Sequence, residues 1–176
     1  ARNVVKEART PKLGEIIKKR TKKVAVLDMD TRWGSIYLML DHLIELRSTI
    51  QDMADCGNKI LSLTGAQWHQ TTELRDLLLK AYEVTKKLQY SDCSPGYFYK
   101  KWSGLRLFYE NQGSLLAEEI AKSMEKREPD LLNNGLLLAA VQLDVLNMQL
   151  LSEASKVKVR EAVVNLVLRL KGIKDE

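Results

Sequence analysis

Asp28 and Asp30 stand two residues apart, just ahead of Thr31-Arg32-Trp33. Carboxylates that converge in space can hold divalent ions, which activate water and stabilise a leaving oxygen. A pair lacking a third member does not fix such ions in working geometry. Helix capping and turn formation are the ordinary uses of aspartates placed like these. Arg32 could contact a phosphate or pair with Asp28 or Asp30. Trp33 could anchor a core beneath the helix that follows. The thiols and imidazoles, Cys56, Cys93, His42 and His69, show no Cys-x-x-Cys or His-x-x-x-His spacing. A four-ligand zinc site and a disulfide framework are therefore not expected. No Ser/His/Asp set or glycine-rich phosphate loop is present. The expectation is a chain without catalytic residues, metal or cofactor.

Two further clusters carry recognition chemistry. Lys18-Lys19-Arg20-Thr21-Lys22-Lys23 is a basic run that could touch DNA, serve as a nuclear-import signal, or remain a solvated arm. Residues 1–23 hold nine basic side chains against Glu7 and Glu15, more than the whole net charge of +5, so the remainder is slightly acidic. Only this arm has an electrostatic reason to meet phosphates. Tyr97-Phe98-Tyr99-Lys100-Lys101-Trp102 interleaves aromatics with lysines, as single-strand binders do. Phe98, Trp102 and Leu105 share one helical face, which favours a core with snorkelling lysines. Tyr97 and Tyr99 are then expected toward the surface, where with Trp102 they form the best candidate for a protein-binding hot spot.

The elements around these clusters read as helices. Thr10-Pro11 caps and starts one that runs to about Arg20. Val24–Leu27 is short, apolar and β-branched, and reads as a buried strand. Ile36, Met39, Leu40, Leu43, Leu46, Ile50 and Met53 then recur at three- and four-residue spacing, predicting one long helix that stops near Gly57 in the left-handed conformation. Thr64 is the expected cap of the next helix, whose stripe includes Trp68, Leu74 and Leu77. Ser91–Gly96 breaks it. A third long helix starts at Tyr97-Phe98-Tyr99, with Gly104 and Gly113 as points of kinking or splitting. Glu125–Asp130 reads as a charged turn. Leu131 to about Leu146 is apolar nearly all round, which predicts a central buried helix, and Ser152 opens the last one.

At 176 residues, 45% hydrophobic and 29% charged, the chain is of globular type. Its apolar runs stay well short of the roughly 20 residues that span a bilayer. The first residue falls in mid-pattern, so a piece of a longer protein is expected. Five or six amphipathic helices with short joints and no internal repeat give an all-α domain.

Leu27-Asp28-Met29-Asp30-Thr31-Arg32-Trp33-Gly34-Ser35-Ile36-Tyr37 resembles the Thr-Arg-Trp landmark of the hAT superfamily of DNA transposases. Members commonly show Asp-x-x-Thr-Arg-Trp-Asn-Ser-Thr-Tyr there. Val4-Val5-Lys6 with Lys12-Leu13 is similar to the family's preceding helix, and Leu63–Trp68 to the start of its second insertion helix. Leu138–Asp144 resembles its Ala-Ala-x-x-Leu-Asp-Pro-Arg segment. Two departures stand out: Gly34 replaces the common Asn, and Asp144-Val145-Leu146 replaces Asp-Pro-Arg.

The resemblance implies a map. Residues 1–30 would be a basic N-terminal helix and the edge of an RNase H-like core, with a strand or extended vestige near residues 23–28. Residues 31–176 would be the all-helical insertion domain. The family's first two catalytic aspartates precede this region and its glutamate follows, so Asp28 and Asp30 are not catalytic positions. In active relatives the landmark Trp stacks near a flipped base, a role that would fall to Trp33. The expected function is a non-catalytic interaction or dimerisation module of a domesticated, transposase-derived nuclear protein, acting in transcription or chromatin control. It would bind a protein partner or itself, with no membrane and no small-molecule substrate. The alternative is a DNA-binding segment, through the basic run with Arg32 and Trp33, of a transposase whose catalytic residues lie outside this chain.

Overall fold

The computed structural model describes residues 1–29, 34–89, 93–144, 149 and 151–172, without the side chains of 155, 162, 165, 166, 169 and 170. Among the described residues the regular structure is helical throughout. The chain divides into two compact units, Ala1–Thr85 and Lys86–Glu176. The division expected at residue 30 is one of ancestry, on which this packing is silent.

The first unit begins with α1 (Arg2–Ala8) and α2 (Pro11–Thr21), the latter with Pro11 in its first turn, where its missing N–H costs nothing. Next come α3 (Ser35–Glu45) and α4 (Arg47–Asp55), a short 3-10 turn (Lys59–Leu61), and α5 (Gly65–Leu88). The single helix expected over 36–56 is broken at Leu46, whose φ of −89° and ψ of 4° leave the helical region. Leu43, Leu46 and Ile50 stay in the core on both sides of the break. Gly57 takes φ +109°, the left-handed turn expected of it. Thr64 and Gln67 form a reciprocal cap on α5: Gln67 N–H donates to Thr64 Oγ1 at 3.2 Å, and Thr64 N–H donates to Gln67 Oε1 at 2.9 Å. Val4, Val5, Ile17, Leu61 and Trp68 complete this core. Each such side chain contributes roughly 1.5–3 kcal/mol on burial.

The strand expected at Val24–Leu27 is not formed. Residues 23–29 are irregular, and among the described residues there is no strand to pair with them. Burial of Ala25 and partial burial of Leu27 against the first core account for their apolar character, while Val24 is exposed.

The second unit holds α6 (Pro95–Glu110), α7 (Leu115–Leu132), α8 (Gly135–Leu143) and α9 (Glu153–Gly172). Side chains of Ser94, Ser114 and Asn134 accept hydrogen bonds from the first free N–H groups of α6, α7 and α8. The long helix expected from Tyr97 splits at Gly113, at φ +66°. The charged turn expected at Glu125–Asp130 is instead the continuation of α7, with Pro129 inside it. A proline removes one helical donor and crowds the preceding turn. Here the segment is held by tertiary bonds to Glu128 and by Leu131 and Leu132 against the second core. That core is built on Tyr99, Leu137, Leu138, Val141, Leu151 and Val159. α8 is buried on one side only, since Leu136 and Leu143 are exposed, which corrects the expectation of a fully buried helix.

Candidate functional site

The basic run folds into the last turn of α2 and the residues after it. Lys18, Lys19 and Arg20 occupy that turn, where cations complement the negative end of the helix. Lys22 closes it in the left-handed conformation at φ 57°, donating its N–H to Lys18 O at 2.9 Å. The five cations then part company. Arg20 lies 4.0 Å from Asp52, and Lys23 Nζ lies 3.0 Å from Glu45 Oε2. The Lys23 hydrogen bond holds the Glu45 carboxyl below its ordinary value. Lys18, Lys19 and Lys22 are exposed with no acidic partner among the described residues. On α2, Lys12 and Lys19 fall on the face opposite Ile17, with Lys18 at its edge, and Lys22 follows the helix end.

Arg32 and Trp33, the other proposed nucleic-acid contacts, lie outside the described residues, as does Asp30. Asp28 is described: Arg2 Nε sits 3.0 Å from its Oδ1, so its partner comes from α1. Sequence spacing could not have shown that pairing.

The two tyrosines expected at the surface beside Trp102 are not both there. Tyr99 is 4% exposed. Its hydroxyl donates to Glu128 Oε1 at 3.1 Å, and Arg106 Nη1 donates to Glu128 Oε2 at 2.6 Å. Burial first, and the Glu128 charge second, push the Tyr99 hydroxyl up. Trp102 is half-buried with its ring 6.3 Å from Phe98, and Tyr97 is half-buried under the Lys101 ammonium at 4.9 Å. The buried line of α6 runs through Tyr99 and Tyr109. The face was misread because a tyrosine body is apolar, and its hydroxyl found an acceptor on another helix.

Among the described residues no group of three or more His, Cys, Asp and Glu side chains could hold a metal. Cys56 is exposed and Cys93 half-buried, both free thiols. No helix among the described residues is long and apolar enough to cross a membrane.

The sequence reading missed an outward apolar surface on the second unit. Leu136 and Leu143 recur seven residues apart on α8. On α9, Val164 and Leu168 are 56% and 59% exposed, with Val157 and Val167 beside them. Val159 and Val163 of the same helix face the second core. The signal was present as valines and leucines on two faces of one helix, where a single buried face requires only one.

Comparison with family models, with curated proteins and with solved structures finds no match to this chain.

Proposed function

We propose that this chain is a non-catalytic protein-interaction or dimerisation module of a transposase-derived nuclear protein acting in transcription or chromatin control. The observation that carries the interaction reading is the exposed apolar residues of α8 and α9, above all Leu143 at 74% and Leu136 at 69%. Apolar side chains that recur on one outward face of a folded unit offer a partner a contiguous surface. The nuclear and transposase-derived parts rest on the Leu27–Leu40 resemblance alone. The test compares the chain with its Leu136→Asp/Leu143→Asp variant in capture from nuclear extract, and assays nicking of duplex DNA with magnesium. Partners held by the first and lost by the second support the reading. Equal capture by both, or metal-dependent nicking, removes it.

A second reading, DNA binding, is favoured by the exposed cations at the end of α2. Lys18, Lys19 and Lys22 are free to neutralise phosphates, whereas Arg20 and Lys23 must first leave Asp52 and Glu45. Affinity for duplex DNA should fall steeply with salt. The Lys18→Ala/Lys19→Ala/Lys22→Ala variant should lose far more than Arg20→Ala/Lys23→Ala; equal affinity for all three proteins would dismiss the idea.

A further inference from the structure

The outer stripe of α9 contains Glu161, Val164, Leu168 and Lys171, all exposed. Their spacing is three, four and three residues, which sets them in one line along a helix. The line spans ten residue steps, or about 15 Å of helix. Its order is acid, apolar, apolar, base. Reversed end to end, the apolar pattern is unchanged and the charges change places.

We propose that α9 pairs with α9 of a second copy of this chain, the two helices antiparallel, with Glu161 of each against Lys171 of the other. This rests on the interaction-module reading and supplies its occupant. In that register Val164 of one copy meets Leu168 of the other, twice, around a two-fold axis, so the same patch serves both partners. Four apolar side chains in two contacts lie at the centre and an opposite-charge pair closes each end. The parallel arrangement sets Glu161 against Glu161 and Lys171 against Lys171, and like charges disfavour it. Glu161 and Lys171 are both exposed. Val157 and Val167 flank the line and extend the apolar surface.

A second copy also answers a packing question. A helix apolar on both faces is stable when both are covered. The second core covers the Val159 and Val163 side. The side bearing Val164 and Leu168 is left for an identical helix. The patch is small beside the roughly 1,200–2,000 Å² of a standard interface, so a concentration-dependent equilibrium is expected rather than an obligate dimer.

Sedimentation velocity on the full chain across a wide concentration range tests the pairing. Wild-type mass should rise from one copy toward two. Glu161→Lys and Lys171→Glu each turn both end pairs repulsive and should each weaken the dimer roughly tenfold. The double variant E161K/K171E restores opposite charges and should recover the wild-type constant, while Val164→Asp should leave monomer only. Helical content should stay constant throughout, because every altered side chain is exposed. One copy at all concentrations, single reversals without effect, or a double variant no better than the singles would each overturn the pairing. Capture of partners through Leu136 and Leu143 is scored separately, so the pairing can fail while the module reading stands.

Discussion

The ring of Tyr82 occupies the place where a Cβ on Gly34 would lie: an added carbon would meet Tyr82 Cδ2 at 2.4 Å. Gly34 also takes φ +78° as it leads into α3, a region that favours glycine. The Tyr82 ring cannot simply swing away, since it stacks on Tyr37 with centroids 4.6 Å apart. One of the two departures from the hAT-like pattern, Gly for the common Asn, is thus matched by close packing in this chain. Gly34→Ala should lower stability by about 1–3 kcal/mol in urea unfolding. Gly34→Asn, although Asn tolerates positive φ, should also destabilise through its Cβ. Combining Gly34→Ala with Tyr82→Ala should cost less than the two separate losses together, because the clash is gone. Strict additivity would refute the steric account.

Glu128 joins α6 to α7 by accepting from Tyr99 and Arg106, with its side chain only 16% exposed. Removing it takes the carboxylate acceptor from the buried Tyr99 hydroxyl, which keeps only Ser103 as a side-chain partner, whereas Arg106 still has Glu110 at 3.4 Å. Glu128→Ala should therefore cost about 1–3 kcal/mol. Tyr99→Phe in the Glu128→Ala background should restore part of it, since no buried hydroxyl is then deprived of its carboxylate acceptor. The urea midpoints of the three variants decide; a Glu128→Ala midpoint equal to wild type would show that the contact is idle.

Burial pushes the Tyr109 hydroxyl up to about 12, above its ordinary value near 10. The folded state then holds the proton more tightly than the unfolded state. Its contribution is complete below pH ~10 and is lost as pH rises from there through 12. Tyr109→Phe keeps the ring and removes the proton, so its stability should fall less steeply over that window. Unfolding midpoints measured stepwise in alkali give the comparison, and parallel curves for the two proteins would contradict it.

Elements that announced themselves did so through local chemistry. Thr64 with Gln67, Ser152 ahead of α9 and Gly57 in its turn could be read from residues a few positions apart, because caps and turns are settled there. The errors came where distant groups decide. Val24–Leu27 has strand composition but no strand partner among the described residues, and composition alone makes no ladder. Pro129 signalled a stop, yet Glu128 is held from α6 and the helix runs on. Tyr99 was assigned outward because its acceptor stands twenty-nine residues away. The α9 stripe was legible in principle, since Glu161, Val164, Leu168 and Lys171 follow helical spacing, but only exposure distinguishes an outer stripe from an inner one.

Trp68 offers a case in which two effects oppose. It is 1% exposed at the start of α5, and the Arg47 guanidinium lies over its ring at 5.1 Å. Its indole nitrogen is buried with no acceptor among the described residues. Trp68→Ala removes a large core body and should cost about 3–5 kcal/mol. Trp68→Phe keeps most of the aromatic surface and removes the stranded donor, whose burial costs about 1–3 kcal/mol. Lost area and relieved desolvation then nearly cancel, so the phenylalanine variant should stay within about 1.5 kcal/mol of wild type in urea unfolding. A loss as large as that of the alanine variant would mean that the nitrogen is satisfied in solution. Trp68→Phe with Arg47→Ala should be nearly additive, because cation–π attraction at an exposed arginine is worth only about 0.5–1 kcal/mol.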